Sequence, residues 1–183
     1  MSGQGSPARS SVPAVAARLA RLRVPFGFVL AAVCLWLARP TPASIAIGML
    51  IAAGGEALRL WAAGHIEKGR EITRSGPYRL MRHPLYAGST ILAVGFVVAA
   101  RSVTVALVVL GYLLLTFGAA VRVEERVLDQ RFAGEYAAYR AGRAPPVARR
   151  FSVARARANR EYRAVAGLAA GAALLVLRWW IDR

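Results

Sequence analysis

The sequence predicts an all-α, polytopic membrane protein with about five transmembrane helices. Three observations predict it. Hydrophobic residues make up 57% of the 183 residues, and the mean hydropathy is +0.43. These residues gather in blocks that are uncharged or nearly so, separated by two short breaks and two long basic loops. Twenty-one of the 25 basic residues fall on one side of the membrane that those blocks imply. Crossing the hydrocarbon core takes roughly 20 helical residues, within a range of about 17–25.

The blocks set the element boundaries. Residues 1–20 form a basic tail rich in Ser, Gly, Pro and Arg, expected to be disordered. Gly3-Gln4-Gly5-Ser6-Pro7-Ala8 matches G-x-G-x-x-A, but no strand precedes it, so it is discounted as a dinucleotide site. Residues 21–183 form a single membrane domain. Helices are expected over about 24–39, 43–63, 84–100, 103–121 and 164–181. The first is read as a retained anchor, because its apolar run starts late and no A-x-A cleavage site follows.

Arg39-Pro40-Thr41-Pro42 separates the first two helices. Arg101-Ser102 alone separates the third and fourth, which predicts a tight helical hairpin. Gly54-Gly55 permits close helix packing. Cys34 reads as a small core residue. Trp179 and Trp180 read as an interface anchor.

Charge gives an orientation. Arg9, Arg18, Arg21 and Arg23 precede the first helix, and Arg59 lies near the inner end of the second. Lys68, Arg70, Arg74, Arg79 and Arg82 follow the second helix, and eleven arginines from Arg122 to Arg163 follow the fourth. Arg39, Arg101, Arg178 and Arg183 lie on the other side. The positive-inside rule places the N-terminus and both long loops in the cytoplasm, in a bacterial inner membrane. The net charge of +16 is then a topology signal with an attraction to anionic headgroups, and needs no nucleic acid.

Several chemistries are excluded. The single cysteine rules out an internal disulfide. One cysteine with His65 and His83 cannot assemble a Cys/His zinc site, so no metal is expected. No GxxxxGK[ST] sequence is present.

Two loops carry more than a connector needs. In the first, Gly76-Pro77 forces a turn. Pro84 suits the first position of the third helix and puts His83 at its N-cap, a natural seat for an anion. A structural histidine at the membrane interface is the plain alternative. The second loop extends the fourth helix out of the membrane through Glu124 and Glu125 and is expected to turn near Gly134. Taken alone, its acids read as paired, solvated interfacial charges. Tyr136 and Tyr139 share one helical face. Glu56 and Arg59, also one turn apart, are either a self-neutralising pair or a functional one.

The segments G-P-Y-R-L-M-R-H-P-L-Y-A-G and E-E-R-V-L-D-Q-R-F-A-G-E-Y-A-A-Y, joined by a hydrophobic hairpin, resemble the isoprenylcysteine carboxyl methyltransferase family and the related phospholipid N-methyltransferases. The resemblance spans residues 58–146. It implies a membrane enzyme with a cytoplasm-facing pocket for S-adenosyl-L-methionine, transferring methyl to a lipophilic acceptor that is a carboxylate, amine or phenol. It implies cofactor contacts by Tyr78, by His83, Pro84, Leu85 and Tyr86, by Glu124, and by the backbone near Ile72 and Thr73. The substrate-binding arginine that eukaryotic members place one turn before this glutamate is Ala120 here. Arg122 is the nearest candidate and joins Glu124 as a catalytic expectation. Glu125 points about 100° away from Glu124 and is expected to be silent. Two rivals stay open: an NADPH-dependent membrane reductase of sterol-reductase type, and a non-catalytic membrane protein keeping the fold. The sterol-reductase pattern has Asn between Pro and Tyr, where this chain has Leu85.

Overall fold

A computed structural model describes residues 27–183. The expected basic tail, the Gly3–Ala8 match and residues 24–26 of the first helix lie outside the described residues. The helices are α1 (Gly27–Leu37), α2 (Pro42–Ala63), α3 (Pro84–Ala100), α4 (Val103–Arg140), α5 (Val153–Ala158) and α6 (Tyr162–Ile181), with one 3-10 turn at Gly76–Arg79. Every described regular element is helical. Among them α2, α4 and α6 are long and apolar enough to cross a membrane, while α1 and α3 are shorter apolar helices. The expectation of about five spans therefore rests on three full-length helices and two short ones.

The helix ends follow from local chemistry. Thr41 caps α2 through a reciprocal capping box with Ser44, and Pro42 at the first position has no N–H to leave unsatisfied. The Ser44 hydroxyl also donates to the Ala99 carbonyl at 3.0 Å, tying the start of α2 to the end of α3. Arg101 adopts a left-handed conformation (φ 49°) and ends α3, and Ser102 caps α4. The two-residue hairpin is as the sequence predicts.

α2 and α3 pack backbone to backbone. A Cβ on Gly48 would lie 2.4 Å from the Gly95 carbonyl oxygen, and one on Gly55 would lie 2.5 Å from the Leu92 nitrogen. Small residues at this spacing let two helices approach in lipid, where dispersion and close contact drive association. Of the Gly54-Gly55 pair only Gly55 serves this contact, since Gly54 faces open space. α6 covers the same pair, with Gly171 against the Phe96 ring and Leu175 in a core with Ala38, Ala99, Ala100 and Val105. Cys34 packs against that core.

α4 differs from the expectation. It does not turn near Gly134 but runs to Arg140, a 38-residue helix of about 57 Å. A bilayer core of about 30 Å takes only half of that length. Leu107, Leu110, Leu114 and Leu115 are exposed on the apolar half, as lipid-facing residues should be. The polar half projects beyond the ends of α2 and α3.

The Glu56–Arg59 pair proves to be part of a larger buried cluster. Arg59 lies 3.5 Å from Glu56 and 2.7 Å from Glu161 at the start of α6, and it also donates to the Ser89 hydroxyl on α3. Both carboxylates are buried, so one guanidinium joins three helices.

Candidate functional site

The segment after α2 is held from both sides. Arg155 donates to the Gly64 carbonyl at 2.9 Å, and the Asn159 amide donates to those of Ala63 and Ile66 at 3.0 and 3.1 Å. These donors satisfy carbonyls that the end of a helix leaves free, and the cation suits its negative dipole end. His65 is buried with Nδ1 2.9 Å from the Trp61 carbonyl oxygen, which assigns the proton to Nδ1. Gly76, at φ +56°, lies against the His65 ring, where a Cβ would come within 2.6 Å. That close approach and the positive φ both require glycine.

The 3-10 turn buries the Tyr78 side chain. The Tyr139 hydroxyl on α4 donates to the Tyr78 carbonyl at 2.7 Å, and Arg74 pairs with Glu135 at 3.3 Å. These contacts dock the polar half of α4 against the loop. His83 is the N-cap of α3 and Pro84 its first residue, as the sequence predicts. The His83 side chain makes no capping bond. Its Nε2 instead lies 3.3 Å from Glu125 on α4, which also meets Arg82 at 3.3 Å.

Between loop and helix lies a cavity of about 310 Å³. Ile72 and Thr73 line it from the loop, Tyr78 from the turn, His83 from the start of α3, and Glu124 from α4. Five of the expected site residues therefore share one wall. Pro84, Leu85, Tyr86 and Arg122 are not on it. Pro84 is fully buried at the start of α3. Tyr86 stands behind His83, with ring centroids 5.8 Å apart, and against Phe117 at 5.1 Å. Arg122 is exposed: two residues from Glu124 is about 200° around a helix, so it faces away.

The wall also holds residues that sequence reasoning did not single out as site residues, notably Glu67, Lys68, Arg131, Phe132, Tyr136 and Tyr139. The aromatic spacing of the last three was visible, but its direction was not. Nothing local marks Glu67, whose partners Arg149 (3.6 Å) and Arg155 (3.7 Å) come from beyond α4.

The charges on the wall are of two kinds. Glu67 and Glu71 are neutralised, with Arg149 2.6 Å from Glu71. Glu124, Lys68 and Arg131 make no ion pair among the described residues. The Tyr78 hydroxyl is buried without a hydrogen-bond partner among them. Burial, and after it the Glu124 carboxylate, pushes the Tyr78 phenol well above its ordinary pKa, so it stays protonated as a donor. Burial, followed by the Glu125 carboxylate, pushes Tyr136 up to about 12. Among the described residues no group of three or more His, Cys, Asp or Glu is placed to hold a metal ion.

The fold and site together define an α-helical membrane protein with an aromatic-walled cavity, set with several charged side chains, at one end of its bundle. Residues 26–135 match the phospholipid methyltransferase family, and the chain belongs to that family. The match embraces both motif segments as far as Glu135, and it supports the membrane methyltransferase resemblance without singling out the isoprenylcysteine branch.

The chain is also similar to two curated proteins. The nickel-cobalt-cadmium resistance protein NccN of Alcaligenes xylosoxydans xylosoxydans is 33% identical over 92 residues, covering 49% of this chain and 43% of that protein. The cobalt-zinc-cadmium resistance protein CzcN of Cupriavidus metallidurans is 34% identical over 117 residues, covering 63% and 53%. The chain spans about half the length of these relatives. No solved structure matches it significantly.

Proposed function

We propose that this chain is a membrane methyltransferase that uses S-adenosyl-L-methionine and passes its methyl group to a lipophilic acceptor. The observation that carries this reading is the cavity wall itself. An unpaired carboxylate, Glu124, and an unpartnered buried hydroxyl, Tyr78, face a space also lined by unpaired cations and aromatic rings. Unpaired polar groups in a half-buried wall are costly unless a ligand satisfies them.

The residues fit the parts of that cofactor. Lys68, Arg131 and His83 suit its carboxylate. Glu124 suits its ribose hydroxyls or its ammonium. The faces of Tyr78, Phe132 and Tyr139 suit a sulfonium through cation–π attraction. Bound there, S-adenosyl-L-methionine supplies an electrophilic methyl for in-line displacement. The chain's work is then orientation and exclusion of water. Tyr86 packs its ring against that of His83 and so helps to hold the imidazole in place. A carboxylate acceptor needs no base, whereas an amine or phenol must lose its proton. Val123 and Val127, about half exposed beside Glu124, offer the acceptor an apolar approach.

Equilibrium binding to the purified full chain tests the proposal. Labelled S-adenosyl-L-methionine should bind, and Glu124→Gln should weaken it. Tight NADPH binding with no S-adenosyl-L-methionine binding would move the function to the reductase class. The heavy-metal resistance in the relatives' names is compatible with a supporting membrane enzyme and does not need metal ligands on this chain.

A further inference from the structure

The segment 141–161, between α4 and α6, is more than a tether. Its backbone is pinned along its length. The Val147 amide donates to the Arg74 carbonyl at 3.1 Å, and the Ser152 amide donates to that of Gly64 at 3.1 Å. Arg149, Arg155 and Asn159 reach inward to the loop and to the last carbonyls of α2. Since α2 spans to Ala63 and α6 begins at Tyr162, this strap lies level with the ends of two membrane-spanning helices, at the height of the lipid headgroups.

With two arginines turned inward, its other cations point out. Arg143, Arg150, Arg157 and Arg160 are exposed and make no ion pair among the described residues. The only acid in the segment is Glu161, which is buried and held by Arg59. Apolar side chains stand among these cations: Val153 is 72% exposed, and Phe151, whose ring packs inward on Gly64 and beside His65, is still 44% exposed. Cations interleaved with exposed apolar residues at headgroup height match an anionic leaflet, phosphate for the arginines and the acyl boundary for the valine and phenylalanine.

We infer that the strap is a docking surface for anionic phospholipid headgroups, with Arg150, Arg157 and Arg160 as its charged contacts and Phe151 and Val153 as its apolar ones. The inference is independent of the methyltransferase reading, since none of these residues lines the cavity. A nucleic acid or an acidic protein would use the charges but leave the exposed Val153 and the outer face of Phe151 without a partner.

The test uses the full chain in nanodiscs of mixed phosphatidylcholine and phosphatidylglycerol. Spin-labelled phosphatidylglycerol should associate with the protein several-fold more than spin-labelled phosphatidylcholine, and the preference should fall with added salt. The triple variant Arg150→Gln, Arg157→Gln, Arg160→Gln should lose most of that preference. The matched variant Arg70→Gln, Arg79→Gln, Arg126→Gln, which removes exposed arginines off the strap, should keep it. A fluorophore on Val153→Cys in a Cys34→Ala background should report a more apolar setting in phosphatidylglycerol discs than in pure phosphatidylcholine. No preference in the unmodified protein, equal losses in both triple variants, or an unchanged fluorophore would overturn the assignment. Oligonucleotide binding that competes with phosphatidylglycerol at physiological salt would reassign the strap to nucleic acid.

Discussion

Glu125 Oε1 lies 3.3 Å from His83 Nε2, while the adjacent Glu124 faces the cavity and makes no ion pair among the described residues. Consecutive helical residues point about 100° apart, so two neighbouring carboxylates do different work. Glu125 closes α4 against the start of α3. Glu124 is left available to a ligand. The sequence expectation sets Glu124 at the cofactor and leaves Glu125 silent. The structure gives Glu125 specific partners in His83 and Arg82.

The two glutamates should therefore separate experimentally. Glu124→Gln is expected to reduce S-adenosyl-L-methionine affinity by about 10- to 150-fold, the loss of one hydrogen bond to a charged group, about 1.5–3 kcal/mol. Thermal stability should stay near that of the unmodified protein. Glu125→Gln should cost about 0–1 kcal/mol of stability, as expected for a partly exposed pair. Any loss of affinity should arise through His83, so a His83→Ala, Glu125→Gln cycle should show less than the sum of the single effects. Additive losses would mean that Glu125 does not position His83.

How much of this was legible in the sequence depends on the range of each interaction. Proline and a two-residue polar break mark the ends of the third helix locally, so the sequence predicts it over Pro84–Ala100. The sequence predicts a turn in the polar half of α4, because Gly134 resembles a stop. One glycine costs a helix only about 1 kcal/mol, which docking through Tyr139 and Glu135 offsets. The motif residues lining the cavity were identified by resemblance. Their neighbours Glu67 and Lys68 depend on how a loop is folded back by Arg149 and Arg155, which no local pattern records. Glu161 as a partner of Arg59 was invisible for the same reason.

That buried cluster makes Arg59 the most sensitive charged position. Arg59→Gln strands the carboxylates of Glu56 and Glu161 among packed helices, where breaking a buried pair costs about 3–5 kcal/mol. Glu161→Gln leaves Arg59 still facing Glu56 and Ser89 and should cost less. Thermal denaturation in detergent checks the order. An Arg59→Gln protein as stable as the unmodified one would show that the cluster is solvated.

Alkaline pH should act through the buried tyrosines. Tyr136 has its folded pKa raised to about 12, above an unfolded value of about 10, so the native state holds an extra proton between these values. Stability from this group is complete below about pH 10 and is lost as pH rises toward 12. Absorbance near 295 nm should show Tyr136 ionising late, and Tyr136→Phe should remove that late component together with part of the alkaline loss. Titration of Tyr136 near pH 10 in the folded protein would contradict its burial.

The glycines of α2 offer a test of the packing that carries the site. Gly54 and Gly55 are adjacent and chemically identical, yet a Cβ on Gly54 meets nothing within 4 Å while one on Gly55 would lie 2.5 Å from the Leu92 nitrogen. Gly54→Ala should be neutral or stabilise by up to about 1 kcal/mol, from helix propensity alone. Gly55→Ala must push α3 away from α2, and overpacking of this kind costs about 1–3 kcal/mol. Because His83 is the N-cap of α3 and lines the cavity, that shift should also disturb the cavity wall. The Gly55 variant is thus expected to lose S-adenosyl-L-methionine affinity along with thermal stability, although residue 55 does not line the cavity. Equal melting temperatures for the two alanine variants would show that α2 and α3 are not in backbone contact at this level.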